Sequence, residues 1–262
     1  MGAAAILSSR RFEHARDLLR ELVMRDLKLR YKRSTLGIGW SLVNPLSQVL
    51  LFTFLFTKVL PLDIPNYTTF IFAGVLAWSW FSGALSSATN AIVGNRELVR
   101  RPHFPVAVLP VVTVVTNGIH YLLALPALLV VAIVERGSVG ATVLAYPLII
   151  AVQFCFTLGL AYLVAASHVR FRDTQHIVSV ILMLAFYITP IFYRADHVPE
   201  EYRLIYDLNP MAAVLAAYRD VLIEGKWPDF NAMAIVLAIS TALLALGYAI
   251  FDRASVRFAE EL

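Results

Sequence analysis

Charge and cysteine are both scarce in this chain: of 262 residues only 15% are charged, and Cys155 is the one cysteine. Soluble domains carry about 25% charged residues, so the polar surface that keeps a globular body in water is missing. A single cysteine inside an apolar run excludes an intrachain disulfide and carries no information about redox compartment. Several chemistries are excluded in the same way. No HExxH occurs, and the six histidines are scattered without metal-ligand spacing. There is no nucleophile elbow, and none of the four lysines precedes Ser or Thr, which rules out a P-loop. The chain cannot hydrolyse ATP by that route, and no other energy source is visible in it. The N-terminal segment lacks the apolar core and small-residue cleavage site of a signal peptide. Repeats and low-complexity tracts are also absent.

What is present is apolar sequence: 59% of residues are hydrophobic and the mean hydropathy is +0.71. A helix needs about 20 apolar residues to cross the hydrocarbon core. Six stretches qualify, at 40–60, 68–88, 105–133, 143–169, 176–193 and 231–251. They hold no Asp, Glu or Arg, and their one lysine, Lys58, is close enough to an end to snorkel. Without intramembrane carboxylates there is no proton relay of the usual kind. The expected fold class is an all-α integral membrane protein. An even number of spans puts both termini on one side. The segments on that side carry 16 Lys and Arg against 6 on the other, so the positive-inside rule places the termini in the cytoplasm. The last external segment, 194–230, holds Asp196, Glu200, Glu201, Asp207, Asp220, Glu224 and Asp229, an acidic excess that fits the outside.

Residues 12–33 follow a helical period. Phe12, Ala15, Leu18, Leu19, Leu22, Val23, Leu27 and Leu29 fall on one face, and Glu13, Asp17, Arg20, Glu21, Arg25, Lys28 and Lys32 on the other. This is the pattern of a helix lying in the membrane interface. Asp26 sits on the apolar side with Arg30 one turn on to pair with it. The cationic face suits an anchor on anionic lipid. A sharper reading has Arg30, Lys32 and Arg33 attract the phosphate of a lipid-linked substrate. Nucleic acid fits worst, because half of the helix is apolar.

Between the second and third spans, Gly94-Asn95 can open a short helix that Pro102 stops. A charged helix there suits docking to a soluble partner, or is an ordinary solvated loop. The loop from Arg170 to Asp173 has similar character. Beyond the fifth span, Asn209-Pro210 is a helix start and Gly225 a stop. The apolar helix between them is either a re-entrant lid or an amphipathic surface helix. Asn44 and Gln48 share one face of the first span, and Asn117 and His120 one face of the third. Interhelical hydrogen bonds and a lined pathway both explain them. Aromatics, Trp40, Phe52 and Tyr187 among them, are numerous, and many sit near span ends, where an interfacial belt is the default; a minority could line a passage and stack on sugar rings.

The stretches RDLKLRYKRSTLGIGWSLVNPL, FAGVLAWSWFSGAL, VGNRELVRRPHFPVAVLP, VRFRDTQHI, ITPIFY and LNPMAAVLAAYRDVL occur in one order over nearly the whole chain. In them the sequence resembles the transmembrane subunit of ABC-2 type (type V) polysaccharide exporters, which carry O-antigen, teichoic acid or galactan. The resemblance implies a single ABC-2 transmembrane domain over 1–262: a cytoplasmic gate helix within 1–39, a six-helix membrane region at 40–251 and a cytoplasmic tail at 252–262. External re-entrant gate helices are implied at about 199–225. It further implies a homodimer in a bacterial inner membrane, working with two separate ATPase subunits that bind ATP and Mg and do all the hydrolysis, this chain having no cofactor or enzyme activity. The implied cargo is a glycan on polyprenyl diphosphate. On these positions the coupling contacts are Asn95, Arg96, Glu97, Arg100 and Arg101, with Arg170, Arg172 and Asp173 as a second set. Arg30, Lys32 and Arg33 would meet the pyrophosphate, and Trp40, Asn44, Gln48, Phe52 and Tyr187 are expected along the channel. Competing readings are ABC-2 export of a drug or simple lipid, a passive channel or scaffold, and a membrane-embedded enzyme acting on lipid-linked sugars. Such an enzyme would have only Asp26 and Asp173 as carboxylates placed at the interface.

Overall fold

The computed structural model of the chain describes residues 2–262 apart from Arg33, Thr35, Val139 and 195–197, and side chains from Arg16 onward except that of Ile38. Arg33, Asp196 and the side chains of Phe12, Glu13 and Ala15, all named above, therefore lie outside the described residues. Among the described residues every regular element is helical: α1 (Gly2–Arg30), α2 (Trp40–Phe54), α3 (Tyr67–Thr89), α4 (Arg96–Val99), α5 (Val108–Arg136), α6 (Tyr146–Arg170), α7 (Thr174–Ile188), α8 (Arg203–Asp207), α9 (Pro210–Arg219), α10 (Phe230–Ser255) and α11 (Phe258–Glu261).

Five helical segments are long and apolar enough to cross a bilayer: Trp40–Val59, Tyr67–Thr89, Val108–Arg136, Ala141–Arg170 and Phe230–Ser255. The first joins α2 to a π-helical turn, Leu55–Val59. The stretch expected at 176–193 is shorter than its hydropathy indicated, because α7 has 15 residues and stops at Ile188. Pro190 is the reason: it drives Thr189 into an extended conformation (φ −73°, ψ 134°) and ends the helix. Fifteen residues of helix span about 22 Å, less than the ~30 Å core.

The amphipathic segment is helical as expected, but its apolar stripe meets protein. Leu22 and Val23 are buried and α1 packs on α5. Leu29 is 60% exposed, whereas Leu27 in the same last turn packs against the core. Asp26 and Arg30 do pair, at 3.9 Å.

Helix α3 is the axis of the bundle, buried for most of its length and packed on α2, α5, α6, α7 and α9. Its first turn is capped from another helix: Glu135 at the end of α5 accepts from the Thr69 N–H at 2.9 Å and the Thr69 hydroxyl at 2.7 Å. A carboxylate there also meets the positive end of the helix dipole. The most extensive helix pair is α6 with α10. Gly159 and Gly247 face each other at their crossing, and a Cβ on Gly247 would overlap the Gly159 carbonyl oxygen. Without a hydrophobic driving force between helices in lipid, such close backbone approach supplies the dispersion contacts that hold the pair.

Helix α9 starts and stops where the sequence indicated. The Asn209 carboxamide accepts from the Met211 N–H at 3.0 Å, Pro210 takes the first position, and Gly225 (φ +64°) closes a π-helical turn, Asp220–Glu224. It is no surface helix: Met211, Leu215, Tyr218 and Leu222 are fully buried, and it packs on α3, α6 and α10. The Tyr218 hydroxyl donates to Gln153 Oε1 at 2.9 Å, and Gln153 Nε2 donates to the Ala77 carbonyl at 2.8 Å, joining α9, α6 and α3.

The crossing makes a direct prediction. Gly247→Val should destabilise the detergent-solubilised protein by about 1–3 kcal/mol or more through overpacking, seen as a lower melting temperature by size-exclusion chromatography. Gly39→Ala, whose Cβ would have no neighbour nearer than 3.9 Å, should melt like the parent.

Candidate functional site

Two facing stripes of small polar residues define a cleft at the end of the bundle that carries α1 and α4. Helix α2 presents Ser41, Asn44 and Gln48; helix α3 presents Ser79, Ser82 and Ser86. Both sets have the spacing i, i+3, i+7, which puts each on one side of its helix. The α5 wall adds Asn117, His120 and Tyr121, and the mouth carries Arg30, Tyr31, Ser34 and Trp40. The cleft holds about 730 Å³.

Its walls are set by specific packing. Gly83 lets α5 approach, since a Cβ there would stand 2.7 Å from Asn117 Oδ1, and a Cβ on Gly118 would stand 3.3 Å from the Trp80 ring. The Trp80 indole N–H donates to the Val114 carbonyl at 3.1 Å, and Asn117 Nδ2 donates to the Thr113 carbonyl at 2.8 Å. At the mouth, Tyr31 Oη and His120 Nδ1 are hydrogen-bonded at 2.9 Å, and Arg30 donates to Ser87 Oγ at 3.3 Å. Burial raises the Tyr31 hydroxyl above its ordinary pKa, with Arg30 pulling the other way. Among the described lining residues Arg30 is the one Lys or Arg, and it stands at the mouth, where it would meet an entering anionic group.

The structure gathers some of the residues named from sequence and separates others. Arg30, Trp40, Asn44 and Gln48 line this cleft together. Lys32 does not: it belongs to a groove on the outer side of α1 with Glu21, Met24, Arg25, Lys28 and Leu29. Arg33 lies outside the described residues. Phe52 belongs to an aromatic cluster that reaches Tyr187 through Phe192, and Tyr187 lines a smaller opening that shares Ser82 and Ser86 with the cleft. Phe52 stacks on Phe192 and Phe56 at centroid distances of 6.0 and 6.2 Å, and Tyr187 meets Phe186 edge-on at 5.4 Å. Arg96, Glu97, Arg100 and Arg101 are exposed around α4, while Asn95 is half-buried; Arg170, Arg172 and Asp173 are exposed after α6. The serine stripe of α3 was not singled out from sequence, although three serines at i, i+3, i+7 in an otherwise apolar span carry the signal.

The opposite end of the bundle has a second cavity of about 680 Å³, bordered by Asp207, Asp220, Glu224, Arg194 and Arg219. Arg219 is fixed by donating to the Pro190 and Ile191 carbonyls, each at 2.7 Å, with its guanidinium 3.5 Å above the Phe70 ring. Burial lowers its pKa to about 9, which leaves it cationic at neutral pH. Burial, and then Glu224, raise the carboxyl of Asp220.

The description "ABC-2 type transporter" fits residues 17–223 of the chain, most of its length. The chain belongs to the ABC-2 transporter family. Among relatives of this ABC-2 protein, the O-antigen export system permease protein RfbA of Myxococcus xanthus is 38% identical over 249 residues, covering 94% of this chain and 96% of the relative. The protein of the same description from Klebsiella pneumoniae is 34% identical over 94% of this chain and 95% of its own. The polysialic acid transport protein KpsM of Escherichia coli is 21% identical, over 92% and 94%.

Arg219 gives this ABC-2 protein a testable clamp. Arg219→Met should strip two interior carbonyls of their donors and lower stability by about 2 kcal/mol, read as a lower melting temperature in detergent. Arg219→Lys should recover only part of that loss, because an ammonium lacks the planar fork.

Proposed function

We propose that this chain is the membrane-spanning permease subunit of an ATP-driven exporter of polysaccharide, without enzymatic activity of its own. The observation that carries this reading is the cleft: a hydroxyl- and amide-lined passage inside an apolar bundle, with a cation at its mouth. Hydroxyls and carboxamides both donate and accept, so they suit a polyhydroxylated chain and exchange partners as it slides. Family membership and relatives named for O-antigen export and polysialic acid transport support the same cargo class. The glycan enters on a polyprenyl diphosphate carrier whose pyrophosphate meets Arg30.

The chain sits in the bacterial inner membrane with both termini cytoplasmic and α7 serving as a short sixth crossing. It works as a homodimer with two ATP-binding subunits, which hold ATP and Mg. Ser82 and Ser86 also border an opening toward α7, beside Trp78, Ser179 and Phe186. A polar face open sideways in hydrocarbon is unfavourable, and a second copy closes it into a channel. The exposed Arg96, Glu97, Arg100 and Arg101 form the ATPase contact, with Arg170, Arg172 and Asp173 as the second.

Depletion in the host should make a lipid-linked glycan accumulate on the cytoplasmic side, measured by extraction and chain-length analysis; unchanged lipid-linked glycan pools would defeat the reading. Ser82→Trp, which fills the cleft, should cut surface glycan by about tenfold or more while the protein still inserts and folds. Reversing the charge of Arg100 and Arg101 together should release the ATPase subunits from the purified complex.

A further inference from the structure

We infer that Arg25 and Asn95 form a tie that carries movement of the coupling segment directly into α1, and through α1 to the mouth of the cleft. This deepens the proposed function and rests on its reading of the α4 region as the ATPase contact. Arg25 Nη2 donates to Asn95 Oδ1 at 2.6 Å, a short charge-assisted hydrogen bond across 70 positions of sequence. Asn95 is held in that orientation because its Nδ2 donates to the Ala91 carbonyl at 2.9 Å. It occupies the position before α4 where an Asn side chain ordinarily caps the helix, yet α4 has no side-chain cap. The carboxamide is committed to α1 instead.

From Arg25 to Tyr31 the chain is helix or its closing turn, roughly 9 Å of rod. At the far end of that rod, Arg30 holds Ser87 on α3 and Tyr31 holds His120 on α5. One rigid element therefore touches the coupling segment at one point and two walls of the cleft at others. Leu22 and Val23 are buried where α1 packs on α5 and keep the rod against the bundle. The covalent route from α4 to α5 is less direct: residues 100–107 form an irregular turn holding Pro102, Pro105 and His103 at φ +61°. Arg25 is thus a positioning residue, acting on the cleft through α1.

The test is a charge-swap cycle in the complete transporter, read as surface glycan formed, ATP hydrolysed and ATPase subunit co-purified. Arg25→Glu should lower export about tenfold, within the usual range of coupling between sites, while the ATPase subunits stay bound and hydrolyse ATP. Asn95→Arg alone, which sets a second cation against Arg25, should also lower export. Combining Arg25→Glu with Asn95→Arg should restore export to within about twofold, the non-additivity that marks a direct pair. Export at the parental level in Arg25→Glu would overturn the tie. So would a loss that the swapped pair fails to repair, or release of the ATPase by Arg25→Glu. If instead the Arg100 and Arg101 reversals retain a full complement of ATPase, the docking reading fails, while the swap cycle still reports on the tie itself.

Discussion

A polar side chain within the hydrocarbon layer has to find a partner or face water, because leaving it bare costs about 2–7 kcal/mol. The bundle is organised around that constraint. Gln153 bridges the Ala77 carbonyl and the Tyr218 hydroxyl, the Trp80 indole finds the Val114 carbonyl, and Thr157 returns to the Gln153 carbonyl. Tyr162 donates to the Ala107 carbonyl at the start of α5. These bonds explain why α9 lies inside the bundle: its fully buried Tyr218 completes a chain of donors and acceptors that would otherwise end at Gln153. The polar residues of α2 and α3 that face the cleft line the part of the interior where polar groups gather around open space.

The two ends of the molecule are held differently. At the acidic end, Glu135 caps α3, Arg219 grips two carbonyls above Phe70, and the Arg136 guanidinium packs against Gly225. These contacts are partly or wholly shielded and link several elements. At the basic end, the Asp26–Arg30 pair is 3.9 Å long with side chains 39% and 38% exposed, a geometry worth under ~1 kcal/mol. The Arg25–Asn95 and Arg30–Ser87 bonds are exposed as well. Among the described residues, α1 reaches both the segment before α4 and the mouth of the cleft, and its polar ties there are mostly exposed.

Much of the fold was legible before the structure because it depends on local rules. Apolar length located five of the spans, Asn209 and Gly225 marked the start of α9 and the end of the π-helical turn that follows it, and the period of residues 12–33 marked α1. Contacts were harder to read. Arg30 and Lys32 are close in sequence, but α1 ends at Arg30 and the turn beyond it carries Lys32 to the groove along α1, so of the two Arg30 lines the cleft. Phe52 was grouped with Trp40 as aromatic, whereas its partners Phe56 and Phe192 draw it into a separate cluster. Serine hydroxyls on α3 drew no attention beside the amides of α2, since a serine can satisfy itself on its own helix, as Ser82 does on the Trp78 carbonyl.

The sequence alone determined that the chain is a membrane bundle with a basic end and an acidic end, because hydropathy and charge act through composition and need no partner. The tertiary structure decided which helix faces meet: that Gly159 lies on Gly247, that α1 rests on protein, and that the α2 and α3 stripes enclose one cleft. Those pairings join residues dozens of positions apart, and what selects them is the fit of one helix surface against another, a property that no single segment contains.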